Sequence, residues 1–282
     1  MITKQKAVME TLKKTPTNSA DKTFSFRQIT DEQELEQFMK LRLEIYADSK
    51  FKNLIQYPVD IDTYDLHSLP FGLFCDGEPA GFIRVILPRQ DYYNPQAFRI
   101  GKKYSAFHEE THSEAALRGQ SGPSVHVFKW IEGSEVLKEY YAEAQQQGLE
   151  LMEGSRIILF KKFRGLKAAR FLTECTITTY VEHCIKAKRH AIIVMAAKQH
   201  RFYEQYGFQV VEQEAYSALD RDHAYCVMAL PYAETFDASP IADRFRGEVM
   251  QAYQEFCTTG QITRQIPMTH PTPATSIEAA AA

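Results

Sequence analysis

Ile157-Ile158-Leu159-Phe160-Lys161-Lys162-Phe163-Arg164-Gly165-Leu166-Lys167 is the stretch on which the reading of this 282-residue chain turns. Apolar residues of strand character run straight into a basic turn, and the pattern predicts a helix over 165–188 behind it. Lys161, Lys162, Arg164, Lys167 and Arg170 place five cations in ten residues around Gly165. The usual meaning of such a charge run is a solvated face. Its place between strand and helix points instead to an anion site, because free backbone N–H groups at a helix start attract negative charge. Beyond it come a predicted strand at 191–196, a helix at 198–206, and the aromatic run Phe202-Tyr203-Glu204-Gln205-Tyr206-Gly207-Phe208.

Residues 1–22 read as a polar, disordered leader and 23–232 as one folded domain. A strand at 24–29 precedes a helix announced by Asp31 and Glu34, with Leu35, Phe38, Met39, Ile45 and Tyr46 on its apolar stripe. Strands follow at 71–76 and 80–87, joined by Asp76-Gly77-Glu78-Pro79. An insertion occupies about 88–148: residues 88–124 lack a clear period, 125–131 suggest a strand, and 134–147 a helix. Strands at 150–160, 208–214 and 223–230 complete an expected α/β (α+β) fold, a mixed sheet with helices on both faces. Residues 233–282 read as a helix near 240–257 and a low-complexity tail from Pro267.

Composition narrows the classes. Hydrophobic and charged contents of 44% and 24% are those of a globular domain, and a net charge of -3 argues against a generic nucleic-acid binder. No apolar run approaches the ~20 residues of a membrane helix, and the N-terminus lacks the apolar core of a signal peptide. Five scattered cysteines without a C-x-x-C pair fit a reduced, cytoplasmic protein.

Charges in apolar places need partners. Arg42 falls on the apolar stripe of the first helix, where a lone guanidinium is costly, and Asp62 and Asp65 are the carboxylates expected to meet it. Arg84 and Arg156 lie inside apolar strands. Alternation puts Glu153 and Ser155 on one face and Arg156 on the other, unless a bulge near Gly154 intervenes. His108-Glu109-Glu110-Thr111-His112 matches the H-E-x-x-H zinc pattern, but its charged surroundings and missing third ligand argue against a metal site.

Taken together, the basic turn and Tyr-Gly-Phe resemble the GNAT acyltransferases, whose pattern (Gln/Arg)-x-x-Gly-x-(Gly/Ala) falls on Lys162, Gly165 and Lys167, with lysine at both ends departing from it. Leu41-Arg42, Asp62-x-Tyr64-Asp65, Gly81-x-x-Arg84 and Glu153-x-x-Arg156, in that order, are similar to the branch of bacterial N-acyl amino acid synthases and acyl-homoserine-lactone autoinducer synthases. The resemblance covers about 24–230. It implies a GNAT-like, mostly antiparallel twisted sheet splayed in the middle, and transfer of an acyl group from a phosphopantetheine thioester to an amine. Glu153 would serve as base, Tyr203 as proton donor to sulfur, and Arg156 or Arg84 as acceptor contacts. Arg42, Asp62, Asp65 and Arg84 would organise the cleft, and Lys161, Lys162, Arg164, Gly165, Lys167 and Arg170 would hold the phosphate. The donor implied is acyl carrier protein or acyl-CoA, with no tightly bound cofactor or metal. Lys167 stands where the family has a small residue, which favours a carrier protein's single phosphate over a nucleotide diphosphate. Ala196 replaces a frequent Asn. Trp130 is the sole Trp and lies outside the region where autoinducer synthases keep one, with only Tyr57 near that place. The misplaced Trp and the long spacing from Arg84 to Glu153 favour an amino-acid acceptor over an autoinducer synthase, and Lys167 weakens the case for an acetyl-CoA-dependent N-acetyltransferase.

Overall fold

The computed structural model describes residues 21–47, 56–187, 190–196, 200–217, 220–231 and 241–267. Within them eight strands form one sheet: β1 (Asp21–Gln28), β2 (Ser68–Cys75), β3 (Glu78–Ile86), β4 (Glu150–Leu159), β5 (His190–Ala196), β6 (Gln209–Ser217), β7 (Asp220–Leu230) and β8 (Gln261–Pro267). Their order across the sheet is β6-β7-β5-β4-β3-β2-β1-β8. Asp76 and Gly77 both take positive φ, 50° and 83°, the geometry of a tight turn that matches strand twist, and this closes the β2–β3 hairpin.

All neighbours pair antiparallel except β4 and β5. That parallel pair runs from Glu150/His190 to Gly154/Val194 and stops, although β4 continues to Leu159 and β5 to Ala196. Beyond the last pair each strand keeps only its outer neighbour, β3 for β4 and β7 for β5. The sheet therefore opens in its middle.

Nine helices are described: α1 (Glu32–Ala47), α2 (Pro95–Lys103), α3 (Glu109–His112), α4 (Glu114–Arg118), α5 (Val127–Trp130), α6 (Glu135–Gln146), α7 (Leu166–Ala187), α8 (His200–Glu204) and α9 (Asp243–Thr259). They cover both faces. Phe38 of α1 packs on Phe74 and Phe82, while Phe71, one residue along from Gly72 and so on the other face, meets Phe256 of α9. Tyr180 of α7 presses on Gly154 from that second face. A smaller core joins Val127, Trp130 and Leu137 to Leu151, Tyr225 and Val227, placing α5 and α6 over the β4–β7 half of the sheet. Leu151 shares its face with Glu153.

The structure differs from the sequence reading in several places, and residues 88–124, read without elements, hold α2, α3 and α4. β1 begins at Asp21, inside the expected leader; residues 1–20 lie outside the described region. Residues 125–131, expected as a strand, hold α5: the run of Val, Phe and Trp imitates a strand, but their burial comes from packing against β4 and β7. The C-terminal segment holds a strand besides its helix. β8 pairs with β1 from Asp21/Pro267 to Arg27/Gln261, with Ile262 and Ile266 buried, and two apolar residues in a polar stretch give too weak a period to announce it. The tail beyond Pro267 lies outside the described residues.

Candidate active site

A bulge in β4 gathers the charges. β3 and β4 stay in step to Arg84/Ser155, after which Phe82 lies opposite Ile158, so β4 carries one extra residue. Arg156 sits in that stretch with φ 57°, a conformation costly for a residue with a side chain. The bulge returns Arg156 to the face of Glu153 and Ser155, against simple alternation.

On that face three arginines meet three aspartates. Arg42 donates from Nε to Asp60 Oδ2 at 2.8 Å and lies 3.5 Å from Asp65. Arg84 donates to Asp62 at 2.6 Å and to Ser155 Oγ at 3.2 Å, and lies 3.1 Å from Asp65. Arg156 lies 3.2 Å from both Asp60 and Asp62. Arg42 and Arg84 are fully buried. Burial pushes the Asp60 and Asp62 carboxyls up, but the guanidiniums of Arg156 and Arg42 at the first, and of Arg84 and Arg156 at the second, hold both below the usual range. Asp62 and Asp65 also cap the 3₁₀ turn Thr63–His67 reciprocally. Asp60 was missed in the sequence; the signal was there, since it makes a third acid in six residues with Asp62 and Asp65. Arg84 has no exposed surface that an acceptor carboxylate could meet.

Glu153 lies on the same face between this cluster and α5. Its Oε2 accepts the Val127 N–H at 2.7 Å. Burial raises its carboxyl to about 7, with the Val127 N–H and Arg84 pulling the other way. A group titrating there can take a proton at neutral pH.

The second face carries the phenols. Tyr180 and Tyr203 line one narrow cleft with Ile157, Thr173, Ile177 and Phe208. Burial raises Tyr203 to about 12, so it stays a donor. Tyr180, also pushed up by burial, has a buried hydroxyl with no hydrogen-bond partner among the described residues. A Cβ on Gly154 would stand 1.3 Å from that hydroxyl, so only glycine fits where the β4–β5 pairing ends. Carboxylate and phenols thus lie on opposite faces of β4, beside the gap.

At the end of β4 the basic turn opens α7. Lys161, Lys162, Arg164, Lys167 and Arg170 are exposed, as is Gly165. Lys162 is paired with Glu78 at 2.6 Å, and Arg164 Nε donates to Leu159 O at 3.1 Å. A Cβ on Gly165 would meet nothing within 4 Å, so packing does not demand glycine there. His108 of the H-E-x-x-H stretch is the N-cap of four-residue α3, outside its helical turn, and His112 stacks on Phe107. Among the described residues no group of three or more His, Cys, Asp or Glu is arranged to hold a metal.

No protein-family model matches the sequence, and no curated protein does. Solved structures similar to it include FeeM, an N-acyl amino acid synthase from uncultured soil microbes (12% identity, 78% of this chain and 96% of that one, TM-score 0.47). The CoA-dependent acyl-homoserine lactone synthase BjaI is 13% identical over 82% of this chain and 90% of its own, with a TM-score of 0.45. An acyl-CoA N-acyltransferase from Pseudomonas aeruginosa is 13% identical over 73% and 97%, with a TM-score of 0.42. None of the three reaches 0.5.

Proposed function

We propose that this protein is an N-acyltransferase that moves an acyl group from a phosphopantetheine thioester to the amine of a small acceptor such as an amino acid. The amine nitrogen bonds to the thioester carbonyl carbon and the carbon–sulfur bond breaks. Glu153 takes the proton the nitrogen loses, directly or through a water, and Tyr203 gives one to the departing sulfur. An amide and a free thiol result. A backbone N–H in the 157–160 stretch would stabilise the oxyanion, a contribution of about 3 kcal/mol in comparable sites.

One observation carries the reading. A buried carboxylate on one face of β4 and a buried phenol on the other flank the place where β4 and β5 stop pairing. A general base and a general acid on opposite sides of a sheet can serve one reaction only if the substrate passes through the sheet. The unpaired backbone of β4 offers hydrogen bonds to the amides of a long, thin arm. Lys161, Arg164, Lys167 and Arg170 would meet its phosphate at the start of α7, and would draw in an acidic carrier protein.

The test is thiol release from acyl carrier protein and acyl-CoA thioesters of varied chain length, with amino acids as acceptors. Amide and thiol in equal amounts are expected, faster from the carrier protein. S-adenosylmethionine as the preferred acceptor would move the reading to autoinducer synthesis. No thiol from any donor would refute it.

A further inference from the structure

α5 closes over Glu153, and it brings His126 with it. His126 Nδ1 lies 4.0 Å from Glu153 Oε1, while Oε2 accepts the Val127 N–H at 2.7 Å and the His126 backbone N–H also faces the carboxylate. That separation is too long for a hydrogen bond between the two. The Nδ1 atom is buried and has no hydrogen-bond partner among the described residues. An unpaired polar atom in such a place is costly unless something else pairs with it.

The ring is neutral. Burial is the main cause and Arg156 and Arg84 add to it against Asp62, pulling the imidazole down to about 3. With its proton on Nε2, Nδ1 is an acceptor. Glu153 Oε1 and His126 Nδ1 are then two acceptors 4.0 Å apart. A nitrogen ~2.9 Å from each would see them about 87° apart, since half the separation over 2.9 Å is the sine of half that angle. Two N–H bonds of one tetrahedral amine can be shared that way. Tyr64 meets the His126 ring edge-on at 5.0 Å and Trp130 stacks on it at 6.0 Å, fixing its plane.

We propose that Glu153 and His126 together form the subsite for the primary amine of the acceptor, His126 accepting one N–H and Glu153 the other. This deepens the acyl-transfer reading and rests on it for the fate of the amine, though amine binding itself does not need that reading. His126 is a binding residue here: it sets where the nitrogen's lone pair points, and Glu153 takes the proton.

The test compares His126→Phe, which keeps a ring but removes the acceptor, with His126→Asn, whose side-chain oxygen can stand near the Nδ1 position. In the thiol-release assay His126→Phe is expected to raise the KM for the amine about tenfold, the worth of one hydrogen bond, with the thioester KM unchanged. His126→Asn should recover most of that loss. Equal changes in both KM values, no change in either, or no recovery by His126→Asn would overturn the proposal. If His126→Phe does not fold, His126→Leu replaces it in the same comparison. Should the wild-type protein release no thiol, the acyl-transfer reading fails separately. The three proteins are then titrated by calorimetry with butylamine and the amino acids. Amine binding that His126→Phe weakens and His126→Asn restores would still uphold the subsite, and no amine binding by the wild-type protein would end it.

Discussion

Glu153, 2% exposed and titrating at about 7, holds its proton in the folded chain at pH values where an unfolded one has lost it. The folded carboxyl lies above its ordinary 4.5, so its contribution favours folding below about 4.5 and is lost as pH rises through 7. Glu153→Gln should therefore raise the unfolding midpoint at pH 8.5, by a free energy on the order of 3 kcal/mol, and change it little at pH 4. The activity moves the other way. A base must be unprotonated, so kcat/KM should climb with pH through about 7, and Glu153→Gln should lower it at least ~100-fold. A flat pH profile from 5.5 to 8 would remove Glu153 from the chemistry. Beside it, Gly154→Ala drives a methyl into the Tyr180 hydroxyl and is expected to cost about 1–3 kcal/mol in urea unfolding. Because the Tyr180 ring carbon also stands 2.5 Å from that methyl, Tyr180→Leu should restore more of the loss than Tyr180→Phe. Glu153 was legible through the Glu153-x-x-Arg156 pattern. His126 and Tyr180 were not, because a histidine in an apolar run and a tyrosine in a long buried helix look like ordinary core until the bulge and α5 show what they face.

Between elements, the six-residue charge cluster ties α1, the 60–65 segment, β3 and β4 together. Removing one member leaves a buried charge without its partner, so Arg42→Met or Arg84→Met should cost about 3–5 kcal/mol, measured by denaturant unfolding. Asp60 and Asp62 are held below the ordinary carboxylate range. Their contribution is present above that range and lost as pH falls through their lowered values, so the cluster weakens in acid, opposite in sign to Glu153. The need for such pairing was visible in Arg42 alone, since a guanidinium on an apolar stripe demands carboxylates. The particular pairing was not, because the bulge that turns Arg156 inward is set by register, which local sequence does not encode. In the basic turn, Lys162 is already neutralised by Glu78. Replacing Lys161, Arg164 and Lys167 together by Glu should raise the KM for the acyl donor more than tenfold and weaken its salt dependence, whereas Lys162→Ala alone should change it less than threefold.

For the molecule as a whole, the decisive feature is that a continuous sheet contains one parallel pair whose pairing stops midway. The alternation of strand and helix patterns implied a mixed sheet, and the strand-to-basic-turn junction implied the connection from β4 into α7. β8, which extends the sheet past β1 at its far edge, escaped notice because its stability comes from pairing with a partner about 240 residues away and from burying Ile262 and Ile266. No helix among the described residues is long and apolar enough to cross a membrane. The most direct measurement is a crystal structure with a non-hydrolysable thioether analogue of acyl-pantetheine phosphate. The arm is expected between residues 155–159 and 195–196, its phosphate at the start of α7 and its sulfur beside Tyr203. An arm bound elsewhere, with that gap closed by protein, would contradict the account.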